Sequence, residues 1–143
     1  MRAMRVAAAV TMCGVVLAGC DVASSVGGLS ARTTAETRVR TVLNGWSVGA
    51  DGRESDLQTA ICQWYRGVNV ISDLGELGRA QSAFERWRGE AGYRFEPIQS
   101  FEIVGAEVVG EGDPVPVRVE VVIDGRPMAM LVVPRDPIRW APG

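Results

Sequence analysis

Asp124-Gly125 separates two stretches of alternating apolar residues, and it constrains the fold more than any other feature of the chain. Before it, Val115, Val117, Val119, Val121 and Ile123 occupy every second position. Side chains on a strand point to alternate faces, so these five share one face. Asp-Gly is a favoured pair for a two-residue type I′ turn, whose twist matches the strands it joins. Such a turn pairs Ile123 with Arg126, Val121 with Met128, Val119 with Met130 and Val117 with Val132. The last three pairs put six apolar side chains on one face, so turn and pattern specify the same register. Upstream, Phe101, Ile103 and Val108 predict a further strand, with Gly105 as a bulge. Glu111-Gly112-Asp113-Pro114 is a turn, and Pro134-Arg135-Asp136-Pro137 is another. Ile138 and Trp140 then predict a short edge strand.

The part before this sheet reads as three helices. Thr33-Thr34-Ala35-Glu36 fits a capping box, followed by Val39, Val42, Leu43 and Trp46 on one helical face. Gly49-Ala50-Asp51-Gly52 interrupts that pattern. Ser55-Asp56-Leu57-Gln58 is a second capping box, with Leu57, Ile61, Trp64 and Val68 on one face. Asp73-Leu74-Gly75-Glu76 opens a third helix that turns Leu74, Leu77, Phe84 and Trp87 inward and closes over Gly89 to Gly92. Helices followed by an antiparallel sheet make an α+β domain, here expected over residues 33–143.

The N-terminus has the layout of a secretory leader. Arg2 and Arg5 precede an apolar run from Val6 to Val16, too short to span a bilayer. The two arginines are not adjacent, which argues against twin-arginine export. Small residues Ala18 and Gly19 precede Cys20, and Leu17-Ala18-Gly19-Cys20 reads as a lipobox. This stretch resembles the bacterial lipoprotein signal family. The resemblance implies removal of residues 1–19 and a thioether-linked diacylglycerol on Cys20, usually with an added N-acyl chain. One acyl chain holds a protein only marginally to a membrane, and two or more hold it stably. The expected location is therefore the extracytoplasmic face of the cell membrane. Residues 20–32, with their small side chains and Gly27-Gly28, are expected to form a flexible tether.

Composition excludes several functions. Removing Arg2 and Arg5 with the leader takes the formal net charge from −2 to −4, which argues against a nucleic-acid partner. With Cys13 in the leader and Cys20 lipidated, Cys62 is left without a disulfide partner. The chain has no histidine and no lysine. That removes Ser-His-Asp and Cys-His nucleophiles, histidine metal sites and Schiff-base chemistry. No phosphate-cradling glycine loop or calcium loop is present. The expectation is a non-catalytic protein with no cofactor and no metal.

Four features are candidate sites. Cys62 lies beside the apolar face of the second helix and reads as a small buried hydrophobe. Phe84-Glu85-Arg86-Trp87-Arg88 interleaves aromatics with arginines and reads as an amphipathic helix, with recognition of an anionic partner or lipid head group as the alternative. Trp64 and Tyr65, followed by Arg66, place a core ring beside a rim. Met128 and Met130 lie on the inner face of the sheet. Trp64, Tyr65, Met128 and Met130 are the candidate lining of an adaptable apolar pocket, with plain core filling as the alternative.

Three helices followed by a meandering sheet, with Trp46 ending the first helix and Trp140 in the last strand, resemble the NTF2-like, cystatin-like cone. All 15 basic residues are arginine, and alanine, valine and glycine abound, as in GC-rich genomes. The whole is similar to small actinobacterial lipoproteins. The lipid anchor, the aromatic-rich and methionine-rich interior and the missing catalytic residues lead to the expectation of a lipid, an apolar small molecule or an envelope protein as the partner. An accessory scaffold of an envelope complex is the alternative. Enzymes on this fold place a carboxylate and a tyrosine in an apolar cavity, which here requires Tyr65 or Tyr93 beside an acid.

Overall fold

A computed structural model describes residues 19–47, 54–93 and 96–142. Leu17, Ala18 and the leader lie outside the described residues, as does the break expected over residues 49–52. Among the described residues there are three helices, α1 (Gly19–Trp46), α2 (Glu54–Arg66) and α3 (Leu74–Glu90). Four strands follow: β1 (Phe101–Val108), β2 (Val117–Ile123), β3 (Arg126–Val132) and β4 (Arg139–Trp140). The strands form one antiparallel sheet in the order β1-β2-β3-β4, an open meander. The architecture is α+β.

The chain divides into two compact units, Met1–Ala31 and Arg32–Gly143. In the first, the described backbone from Gly19 is helical. Residues 20–32, expected as an irregular tether, are thus part of α1, and the Thr33–Glu36 capping box lies within the helix. The stretch contains no proline, and its alanines and Leu29 favour helix, so Gly27-Gly28 weakens the helix without ending it. No helix among the described residues is long and apolar enough to cross a membrane.

The second unit holds the core. Ala35, Val39, Val42, Leu43 and Trp46 line the buried face of α1. Gly45 marks its closest approach to α2: a Cβ there would lie 2.5 Å from both the Ala60 Cβ and the Asp56 carbonyl oxygen. Ala60, Ile61, Cys62 and Trp64 form the buried face of α2. Val68, expected to extend that face, is exposed. The helix has already ended at Arg66, and Gly67 turns the backbone to φ +73°.

Asp73 caps α3 as expected, accepting the Glu76 N–H at 3.0 Å. Leu74, expected inward, is 83% exposed. It is the first residue of the helix, ahead of the turns that bury Ala80, Phe84, Trp87 and Arg88. The far end closes in a Schellman motif. The Tyr93 N–H bonds to the Arg88 carbonyl and the Gly92 N–H to that of Gly89, with Gly92 at φ +92°.

The hairpin has the register set by its turn: Ile123 opposes Arg126, Val121 Met128, Val119 Met130 and Val117 Val132. Asp124 and Gly125 both take positive φ, as a type I′ turn requires. β2 begins at Val117 rather than Val115, because Pro114 and Pro116 carry no N–H for a ladder. The bulge falls between Ile103 and Gly105. β4 pairs Trp140 with Met130.

Candidate functional site

Seven aromatic side chains from both halves of the second unit form one continuous cluster, with Tyr65 joined to it through Trp64. Trp46 of α1 meets Phe84, Trp87 and Tyr93, and Trp64 of α2 meets Phe84 and Trp87. Trp87 stacks on Trp140 of β4, with ring centroids 4.4 Å apart and planes within 5°. The Trp140 indole N–H donates to the Trp87 carbonyl at 2.8 Å, and that of Trp46 to the Glu96 carbonyl at 2.9 Å. Each ring buries about 150–250 Å², so this cluster dominates the packing between α3 and the sheet edge.

Two arginines are buried with these rings. Arg38 is 6% exposed and Arg88 is 7% exposed. Arg38 donates through Nε to the Gln63 carbonyl and through Nη2 to those of Trp64, at 2.9 Å, and Asp136, at 2.6 Å. Its Nη1 donates to the Val133 carbonyl at 3.2 Å. Gln63 and Trp64 lie in the last turn of α2, whose carbonyls have no partners within the helix, so Arg38 caps that helix from α1. Gly67 lies against it, an added Cβ coming 3.4 Å from the Arg38 Nε, and the φ of +73° there favours glycine. Burial pulls the guanidinium pKa down to about 10, against the opposing charge of Asp136.

Among the described residues Arg88 has no such partners. Its guanidinium carbon lies 4.8 Å from the centre of the Phe84 ring and 5.9 Å from that of Trp46. Its Nε is sealed from solvent with no acceptor. Burial lowers its pKa, and Glu85, one turn earlier, opposes that shift. A position in the last helical turn is worth about 0.3–1 kcal/mol, and contact with aromatic faces about 0.5–2 kcal/mol. Desolvating a cation costs several kcal/mol. The indole N–H groups of Trp64 and Trp87 are also buried without acceptors. Every buried, unpartnered side-chain polar atom among the described residues is therefore a donor.

A tyrosine does sit beside an acid. The Tyr93 hydroxyl donates to Asp124 Oδ2 at 3.0 Å. Asp124 Oδ1 accepts the Gln99 N–H at 2.7 Å and the Ser100 N–H at 3.0 Å. Partial burial acts to raise the Asp124 carboxyl pKa, but the Ser100, Gln99 and Tyr93 bonds and the Arg126 charge together hold it below its ordinary value. Burial first, then the bond and charge of Asp124, raise the Tyr93 phenol pKa, against Arg126. Arg126 lies over the Tyr93 ring and donates to the Ala91 carbonyl. A phenol held protonated and a carboxylate with both oxygens engaged make a poor base pair. The trio instead fastens the hairpin tip to the end of α3.

The four candidate pocket residues are not alike. Trp64 and Met130 are sealed in the interior, whereas Tyr65 and Met128 are half-buried. Trp64 is linked to Met130 through Trp87, Trp140 and the Trp140–Met130 strand pairing. Tyr65 tilts against Trp64 at 6.0 Å. Cys62 is buried and free. The lipidation residue Cys20 lies in the described backbone of α1. No cluster of acids and cysteines suited to a metal occurs among the described residues.

Sequence reasoning missed Arg38 altogether. Its position, three residues after Ala35 and four before Val42, puts it on the apolar face of α1, the one signal that marks it. No protein-family model, curated protein or solved structure matches the chain.

Proposed function

We propose that this protein is an actinobacterial-type lipoprotein, held on the extracytoplasmic face of the cell membrane by lipid on Cys20, whose α+β domain is a non-catalytic binding module of the NTF2-like, cystatin-like kind. The observation that carries the anchoring is Leu17-Ala18-Gly19-Cys20 behind a basic and then apolar leader. Three helices followed by an antiparallel meander support the cone-like fold. An aromatic-rich interior with a buried, unpartnered cation supports binding of a lipid or another apolar small molecule.

A specific surface feature favours a second reading, an accessory scaffold of an envelope complex. Val68, Val70 and Leu74 are exposed around the α2–α3 connection, Val70 by 70%. Ile71 between them is buried, and Gln63 Nε2 donates to Asn69 Oδ1 at 2.8 Å, so the connection is anchored. Exposed aliphatic residues grouped in this way suit a protein contact.

The anchoring is tested by mass spectrometry of the full chain made in an actinobacterial host. The expected mature chain begins at Cys20 and carries the mass of a diacylglyceryl group, and C20A abolishes the modification and releases the protein from membranes. An unmodified Cys20, or a mature chain starting elsewhere, overturns the anchor.

A further inference from the structure

Arg38 and Arg88 are buried to nearly the same degree, yet only Arg38 has acceptors. Arg88 rests one face of its guanidinium on Phe84 and Trp46, with Nε sealed and unbonded. Among the described residues its two Nη groups have no acceptor, and of the three guanidinium nitrogens only Nε is fully sealed. An arginine is seldom buried unless paired, and a planar fork with free parallel donors fits an oxygen acid. The neighbouring indole N–H groups of Trp64 and Trp87 are unpartnered too, so what this cluster lacks is acceptors.

The surroundings limit the charge of the missing group. Arg88 lies in the last turn of α3, at the negative end of the helix dipole, with Glu85 and Glu90 exposed on the same helix. A single negative charge is matched by one guanidinium, whereas a dianion would meet the helix end and both carboxylates. Trp46, which the guanidinium overlies, also meets the half-buried Tyr93 ring edge-on, so the cluster beneath Arg88 reaches a partly exposed aromatic side chain.

We propose that Arg88 is the head-group recognition residue of a ligand site, taking a singly charged oxygen acid, a carboxylate or a phosphodiester, carried on an apolar body. This rests on the reading of the domain as a binding module. It adds which residue selects the ligand and what charge the ligand carries.

The test compares matched ligands by calorimetry on residues 31–143, a segment that contains the whole buried core, from Ala35 to Ile138. Decanoate and decanol share a chain and differ in charge, and dihexanoyl phosphatidylglycerol supplies the phosphodiester. The wild-type domain is expected to bind decanoate or the phosphatidylglycerol at least about ten-fold more tightly than decanol. Whichever of the two binds identifies the source of the charge. In R88M that preference falls to within about two-fold, and the ligand-free variant melts no lower than wild type, because an unpartnered buried cation has been removed. If R88M does not fold, R88Q is measured in the same way. Equal binding of decanoate, decanol and the phosphatidylglycerol by wild type overturns the role of Arg88 and leaves the binding module standing. Binding of none of the three overturns both.

Discussion

The carbonyl of Trp64 accepts both the Arg38 Nη2, at 2.9 Å, and the Ile138 N–H, at 3.0 Å, so one oxygen joins α1, α2 and the approach to β4. Two of the other three Arg38 acceptors are shared in the same way: Gln63 also takes the Gly67 N–H, and Val133 the Asp136 N–H. Three of the four carbonyls therefore keep a donor when the guanidinium is removed, and the fourth, that of the exposed Asp136, is left to water, so the cost is chiefly the lost charge-assisted bonds. R38M is expected to lose about 2–4 kcal/mol in denaturant unfolding. A loss below about 1 kcal/mol would show that the four bonds contribute little.

Two glycines in helices respond in opposite directions. Replacing glycine by alanine inside a helix ordinarily gains about 1 kcal/mol. At Gly78 in α3 nothing lies within 4 Å of an added Cβ, so G78A is expected to stabilise by about 0.5–1 kcal/mol. At Gly45 the added carbon meets Ala60 and the Asp56 carbonyl, so G45A is expected to destabilise by about 1–3 kcal/mol despite its better propensity. Thermal melts of the two variants read the signs directly.

The Tyr93–Asp124 contact predicts a pH dependence. The Asp124 carboxyl is held below its ordinary value of 3.8 in the folded state, so its contribution is fully present above 3.8 and is lost as pH falls through the folded value. D124N keeps the turn, since asparagine tolerates positive φ, and removes the charge. Wild type and D124N should differ most in stability near neutral pH and converge below pH 3.8. The Tyr93 phenol, raised above its ordinary 10.0 by burial and by Asp124, should titrate at lower pH in D124N, as read by ultraviolet absorbance.

Cys62 is 2% exposed and has no disulfide partner. In residues 31–143 it is the sole thiol. An aromatic disulfide reagent is expected to leave it unmodified in the folded domain and to react with one thiol per chain after denaturation. Rapid reaction in native buffer would place it at the surface instead.

The hairpin was legible because two independent signals coincide there. A period of two fixes the face of Val117, Val119 and Val121, and Asp124-Gly125 fixes the register of Met128 and Met130 against them. The faces of α1 and α3 were legible for a similar reason, as Val39, Val42, Leu43, Phe84 and Trp87 are buried as spaced. Helix ends were harder. Val68 fits the helical spacing of Ile61 and Trp64, but the Gly67 backbone breaks the helix one residue earlier. The two buried arginines were the least legible. Arg38 finds Val133 and Asp136 some 95 and 98 positions away, and no local pattern encodes such partners. Arg88 looks like one more charge on an amphipathic helix until Trp46 and Phe84 are placed beneath it.

The central claim is that the domain binds an apolar ligand, and native mass spectrometry of residues 31–143 purified from an actinobacterial host tests it most directly. The expected result is a stoichiometric adduct that, after denaturation and extraction, proves to be a singly charged lipid or similar amphiphile. A clean ligand-free mass, with no shift on adding decanoate or short-chain phosphatidylglycerol, would contradict it and turn attention to the exposed Val68, Val70 and Leu74 as a protein contact.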